Sequence, residues 1–96
     1  MITTDETIII CAVRYALGRM SYIVWDVTKY VELKRKELSR ECIGAIIRDI
    51  EDELKRYHEV GHTLGMECDE RQWYKLLEIL REEKGARKCT EKNVNQ

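Results

Sequence analysis

Apolar residues recur along most of the chain with the period of an α-helix, and end signals divide the pattern into four stretches. We predict helices over residues 5–17, 22–36, 40–58 and 70–84. Their apolar stripes are, in chain order, Ile9, Ile10, Ala12, Val13, Ala16 and Leu17; Ile23, Val24, Val27, Tyr30 and Val31; Cys42, Ile43, Ile46, Ile47, Ile50, Leu54 and Tyr57; and Trp73, Leu76, Leu77 and Leu80. No segment of useful length shows the alternation of apolar and polar residues, with a period of two, that is typical of a strand. The sequence therefore predicts an all-α fold, a small bundle of about four helices.

Local signals set the predicted boundaries. Gly18 lies where a helix C-terminus favours a left-handed residue, and Ser21 is a good N-cap for the second helix. One continuous helix through Gly18 is the competing interpretation, because an internal glycine costs only about 1 kcal/mol; we favour the break. Ser39 is the predicted cap of the third helix, and Asp69 with Gln72 resembles a capping box for the fourth.

Length and charge narrow the class of protein. The 96 residues predict a single helical domain over residues 1–87, followed by a flexible tail over residues 88–96. A bundle of this size is marginally stable alone, so we expect self-association into a homo-oligomer. The net charge of −1 argues against general nucleic-acid binding. No apolar run approaches the roughly 20 residues of a membrane span, and the acidic start differs from a signal peptide, so we expect no membrane partner and a cytoplasmic protein.

The four cysteines form neither a Cys-x-x-Cys pair nor a zinc-finger spacing. Nothing marks the chain as secreted, so we expect free thiols rather than disulfides. We interpret Cys11 and Cys42 as small buried apolar residues and Cys89 as a thiol in the tail.

Residues 58–68 read H-E-x-x-H-x-x-G-x-x-C, which is similar to the zinc signature of the metzincin metalloproteases. His58 and His62 would hold the metal, Glu59 would polarise its bound water, and Cys68 stands where that family has its third ligand. The chain offers no strand to bind substrate and no methionine after Met66 for that family's methionine turn. We therefore interpret the motif as a polar helix end, predict no enzyme and no cofactor, and keep zinc at His58, His62 and Cys68 as the alternative.

Basic, aromatic and helix-terminal features converge around the first turn. A helix starting at Ser21 would present free N–H groups to an anion, arginines would add charged hydrogen bonds, and aromatic rings would stack on a base. The predicted ligand-binding residues are Arg14, Tyr15, Arg19, Ser21, Tyr22 and Trp25. Trp25 also points away from the core stripe of its helix, as an interface residue would. Alternatively, Arg14 pairs with an acidic residue such as Asp26 or Asp49, the tyrosines fill gaps between helices, and Trp25 packs against a neighbouring helix.

The same block carries a resemblance to a known family. Residues 11–24 read Cys-Ala-x-Arg-Tyr-Ala-Leu-Gly-Arg-x-Ser-Tyr-Ile-Val, which resembles the hallmark of a family of small phage and prophage proteins. Residues 47–51 and 65–73 resemble that family's middle and end, in the same order. The resemblance implies a phage-encoded accessory protein acting in a bacterial host.

This resemblance and the polar block together suggest a counter-defence role. We expect a non-catalytic protein that sequesters an anionic, nucleotide-type immune signal in a pocket formed by the polar block. The alternative is a protein-binding inhibitor of a bacterial defence complex, resembling anti-CRISPR proteins, with a surface aromatic such as Trp25 as its anchor.

Overall fold

The computed structural model describes residues 2–17, 22–60 and 66–94; the side chains of residues 22, 57, 60, 66–69 and 87–94 lie outside that description. Within these ranges the chain forms four helices and no strand. They are α1 (Thr4–Ala16), α2 (Tyr22–Lys34), α3 (Arg40–Val60) and α4 (Met66–Val94). The predicted all-α bundle is confirmed.

The start and end of α1 follow from local chemistry. The Thr3 hydroxyl accepts from the Glu6 backbone N–H, and the Glu6 carboxylate accepts from the Thr3 N–H, which is a complete capping box. At the other end Leu17 adopts extended backbone, with φ −60° and ψ 132°, so α1 ends before Gly18. Because α2 begins separately at Tyr22, the predicted break is confirmed; Gly18 and the predicted cap Ser21 lie outside the described residues.

Ser39 caps α3 as predicted. Its hydroxyl accepts the Cys42 backbone N–H at 3.1 Å, and its carbonyl accepts the Ile43 N–H at 3.0 Å. Leu38 is buried immediately before this cap, so the connection after α2 is fixed by both a hydrogen bond and an apolar contact with the core.

Helix α4 is longer than the sequence indicates. It begins at Met66, so Asp69 lies within the helix and its interpretation as a cap is wrong. It also passes through Gly85 to Val94, beyond the predicted end at residue 84. A Cβ built on Gly85 meets nothing within 4 Å, so this glycine is not required by a close approach. Most of the predicted tail thus has helical backbone, and its flexibility stays a prediction.

The helices pack in a closed ring. Both α1 and α4 pack against α2 and α3, which places α1 and α4 at opposite corners of the bundle. The core contains almost all the predicted stripe residues of α3 and α4, from Cys42 to Leu54 and from Trp73 to Leu80. Tyr57 was predicted there as well, but its side chain lies outside the description.

Two predictions of burial, for Tyr30 and Cys11, are wrong. In α2 Thr28 is buried together with the predicted Val24 and Val31, whereas Tyr30 is 49% exposed. The Thr28 hydroxyl donates to the Trp25 carbonyl at 3.2 Å, so its polar group remains satisfied in the core. Cys11 was expected inside but is exposed, while Cys42 is fully buried as expected; both are free thiols.

Candidate binding groove between α1 and α2

Arg14 is engaged within the protein. Its Nε donates to Asp49 Oδ2 of α3 at 2.8 Å, and this hydrogen bond raises the pKa of Arg14 above its ordinary value. This is the internal pairing that the sequence left open as an alternative to ligand binding. Arg14 therefore lies against the α3 side of α1, with part of its donor capacity already used.

The other members of the predicted ligand site are dispersed or undescribed. Tyr15 is exposed on α1, and Trp25, at 50% exposure, lies on the side of α2 that faces α4. There Trp25 lines a small cleft of about 40 Å³ with Lys29 of its own helix and with Lys75 and Leu76 of α4.

Arg19 and Ser21 lie outside the described residues, as does the side chain of Tyr22. Neither Arg14 nor Tyr15 lines the small cleft beside Trp25 or the groove between α1 and α2 that is described below. The nucleotide site stays a prediction.

The candidate zinc motif is only partly described. His58 Nε2, near the end of α3, lies 2.9 Å from Tyr74 Oη and 3.0 Å from Glu70 Oε1, both on α4. These contacts join the C-terminal part of α3 to the first turns of α4. His62 and the side chain of Cys68 lie outside the description, and no cluster of metal-binding side chains occurs among the described residues.

A groove of about 740 Å³ lies between α1 and α2, and we call it the α1–α2 groove. Val31 and Leu38 are buried and form its floor. Ile9, Ala12 and Val27 are half-buried and form its walls. Apolar side chains therefore continue from the core of the bundle to its surface at this point.

Two large apolar side chains extend this surface into solvent. Ile8 of α1 is 62% exposed and Tyr30 of α2 is 49% exposed, and both line the groove. Neither residue was predicted at a binding surface, because the predicted stripe of α1 stopped at Ile9 and Tyr30 was assigned to the core. The run Ile8-Ile9-Ile10 is the available signal, because three successive residues span about 200° of a helix and one neighbour cannot cover them all.

Charges around the groove are unbalanced. Lys34 Nζ lies 3.4 Å from Glu37 Oε2, so these two neutralise each other. Asp5 and Asp26 are exposed groove residues, and neither forms an ion pair within the described part of the chain. The open edge of the groove is therefore apolar with an excess of negative charge.

Glu6 fixes one end of the groove. Its Oε1 accepts from the Thr3 N–H at 3.0 Å and its Oε2 accepts from the Ser39 N–H at 2.5 Å, although the residue is only 6% exposed. The Ser39 and Thr3 backbone hydrogen bonds hold the pKa of Glu6 below its ordinary value of 4.5. One buried carboxylate thus joins the N-terminal caps of α1 and α3, which holds α1 in place beside α2.

Fold and groove together define a class: a small all-α bundle with an open apolar groove between two of its helices. Among the described residues, no helix combines the length and the apolar character needed to cross a bilayer. No protein-family model, no curated protein and no solved structure matches the chain.

Proposed function

We propose that this protein acts without catalysis, by binding another protein through the α1–α2 groove. The observation that carries the proposal is the pair Ile8 and Tyr30, which are large, apolar and exposed on opposite sides of one groove. Large apolar surface next to a concave floor is typical of protein-binding sites, whereas single scattered apolar residues are ordinary.

The geometry favours this role over sequestration of an anionic nucleotide. Arg14 donates to Asp49, and the groove itself is bordered by the carboxylates of Asp5 and Asp26. Negative charge at the mouth of a site repels a phosphate group and attracts a cationic surface.

The partner class follows from the resemblance to phage and prophage proteins. If the protein is phage-encoded, the protein that it binds belongs to the bacterial host. Small accessory proteins of phages commonly block a component of a bacterial defence system. We therefore propose a counter-defence inhibitor acting in the bacterial cytoplasm, of the protein-binding kind.

Site-specific photo-crosslinking tests the proposal. The photoreactive residue p-benzoylphenylalanine is placed at Tyr30 or, as a control, at Leu33, which is 76% exposed on the same helix but does not line the groove. The full chain is expressed in a bacterial host and irradiated. We expect a discrete larger adduct from position 30 and little from position 33. Equal adduct formation at the two positions, or a stoichiometric nucleotide-sized mass retained by the native protein, would contradict the proposal.

A further inference from the structure

The shape of the α1–α2 groove restricts what can occupy it. The groove is lined by α1 with its N-cap Thr3, by α2 and by the connection that follows α2, so it presents no strand edge with unpaired backbone groups. An extended peptide would leave its own N–H and C=O groups against apolar side chains without partners, at a cost of about 1–3 kcal/mol each. A helix satisfies its backbone internally and presents only side chains.

Its length fits a short helical contact. Within α1 the lining runs from Asp5 to Ala12, and within α2 it runs from Asp26 to Lys34. Eight or nine residues of helix correspond to about 12–14 Å, since the rise is about 1.5 Å per residue. This is enough for about two to three turns of a third helix, whose apolar anchors would recur at i, i+4 and i+7.

The charges on the two helices define the partner's polar positions. Glu6 lies beside Ser39, so the start of α1 meets the end of α2, and the two helices run antiparallel. Asp5 therefore lies toward one end of the groove, and Asp26, near the start of α2, lies toward the other. Lys34 is paired to Glu37, and each end carries an exposed carboxylate that forms no ion pair within the described part of the chain.

A second copy of the chain is a poor occupant of this groove. A twofold interface would bring each groove's acidic ends against those of the other copy, and like charges placed together are unfavourable. A basic partner removes this repulsion instead.

We infer that the α1–α2 groove binds a basic amphipathic helix, in which an apolar stripe seats between Ile8 and Tyr30 and Lys or Arg residues about two turns apart face Asp5 and Asp26. This inference rests on the proposed function and names the chemistry of its partner. The apolar stripe supplies the affinity, and the basic residues select the partner and its orientation.

Fluorescence anisotropy with designed peptides tests the inference on the full chain. The probe is a fluorescein-labelled amphipathic Leu/Lys peptide of about 14 residues, or two heptads. A Leu/Gln peptide with the same leucine positions reports apolar binding without charge. We expect the Leu/Lys peptide to bind at least about 10-fold more tightly than the Leu/Gln peptide at low salt, and this ratio to shrink in high salt.

Matched variants assign the binding to the groove. Replacing both groove carboxylates, Asp5→Asn with Asp26→Asn, should weaken Leu/Lys binding about 3- to 10-fold, as expected for two exposed ion pairs. The charge-matched control is Asp52→Asn with Glu78→Gln, two exposed positions outside the groove, and it should change binding less than twofold. Equal losses in both double variants would show nonspecific attraction and overturn the inference.

A second pair of variants tests the apolar part. Ile8→Ala should weaken both peptides about 10-fold, whereas Leu33→Ala should leave both unchanged, with circular dichroism confirming that each variant folds. If the two peptides bind equally and Ile8→Ala weakens both, the inferred basic character is wrong while protein binding at the groove survives. If neither peptide binds, or if Ile8→Ala instead dissociates a homodimer seen by sedimentation, a basic helix is excluded, and the photo-crosslinking result decides the proposed function separately.

Discussion

Replacement of Glu6 by Gln should destabilise the whole bundle, because one carboxylate closes two helix caps. The side chain is only 6% exposed, and its two oxygens accept the backbone N–H groups of Thr3 and Ser39. Gln retains one acceptor oxygen and turns its NH₂ group toward the other N–H, so one charged hydrogen bond is lost and two donors oppose each other. A hydrogen bond to a charged group is worth about 1.5–3 kcal/mol, and we expect Glu6→Gln to lower the free energy of unfolding by about 2 kcal/mol.

That loss is large for a domain of this size. Proteins are typically stable by about 5–15 kcal/mol, and each kcal/mol moves the Tm of a 60–100-residue domain by about 4–8 °C. We therefore expect a fall in Tm of about 8–16 °C, measured by circular dichroism at 222 nm and checked by urea titration. Asp5→Asn is the matched control, since Asp5 is exposed in the same first turn and its loss should cost only the helix-dipole contribution of about 0.3–1 kcal/mol. A Glu6→Gln variant that unfolds within about 0.5 kcal/mol of this control would refute the argument.

The same carboxylate predicts a pH dependence with a definite sign. The pKa of folded Glu6 lies below its ordinary value of 4.5 because the Ser39 and Thr3 N–H groups stabilise the charged form. Its contribution is therefore complete above the unfolded pKa and is lost as the pH falls through the lower folded value. Wild type and Glu6→Gln should differ most near about pH 7, and the difference in urea titrations should shrink progressively as the pH falls below the ordinary pKa of 4.5. A difference that grows on acidification would contradict this assignment.

Three further predictions test the fold. Burial, with a further contribution from the nearby charge of Glu6, raises the pKa of the Cys42 thiol to about 11. Iodoacetamide at about pH 8 should therefore modify exposed Cys11 and leave Cys42 intact until the protein unfolds, as measured by peptide mass mapping. Rapid modification of Cys42 in the native protein would contradict its burial. Leu80→Ala should cost about 2–5 kcal/mol of unfolding free energy in urea, because Leu80 is fully buried, and a loss below about 1 kcal/mol would contradict the core assignment. Gly85→Ala should stabilise the protein by about 0.5–1 kcal/mol, since the added methyl meets nothing within 4 Å and the position is helical; a destabilised variant would mean that α4 does not continue through residue 85.

The sequence predicted the core of α3 and α4 because the information is local. Each has a narrow apolar stripe flanked by charged residues, and a stripe of this kind has only one way to be buried. The cap at Ser39 and the end of α1 before Gly18 were also readable, since capping depends on residue types within one turn.

Other features depend on which elements become neighbours. Helix α2 packs against both α1 and α4, so its buried face is centred between them and takes in Thr28 while leaving Tyr30 at the surface. Arg14 has an acidic partner in α3, a helix more than 20 residues further along the chain, and spacing within one helix cannot select Asp49 over Asp26. These outcomes require the arrangement of the bundle, which periodicity does not specify.

The groove illustrates the same limit at the candidate site. An apolar stripe on a helix identifies the residues that are expected to be buried. It does not indicate whether other parts of the same protein or a partner would bury them. Ile8, Ile9 and Ile10 progress from 62% exposed through half-buried to 6% exposed, so the apolar face of α1 is wider than α2 and α3 can cover. Isoleucine is not a strong helix former, and an exposed one adds nothing to α1 that alanine or glutamate would not supply better. The proposed partner helix would cover this uncovered face: its apolar stripe would contact Ile8 and the facing Tyr30, and its basic residues would face the carboxylates at the groove ends.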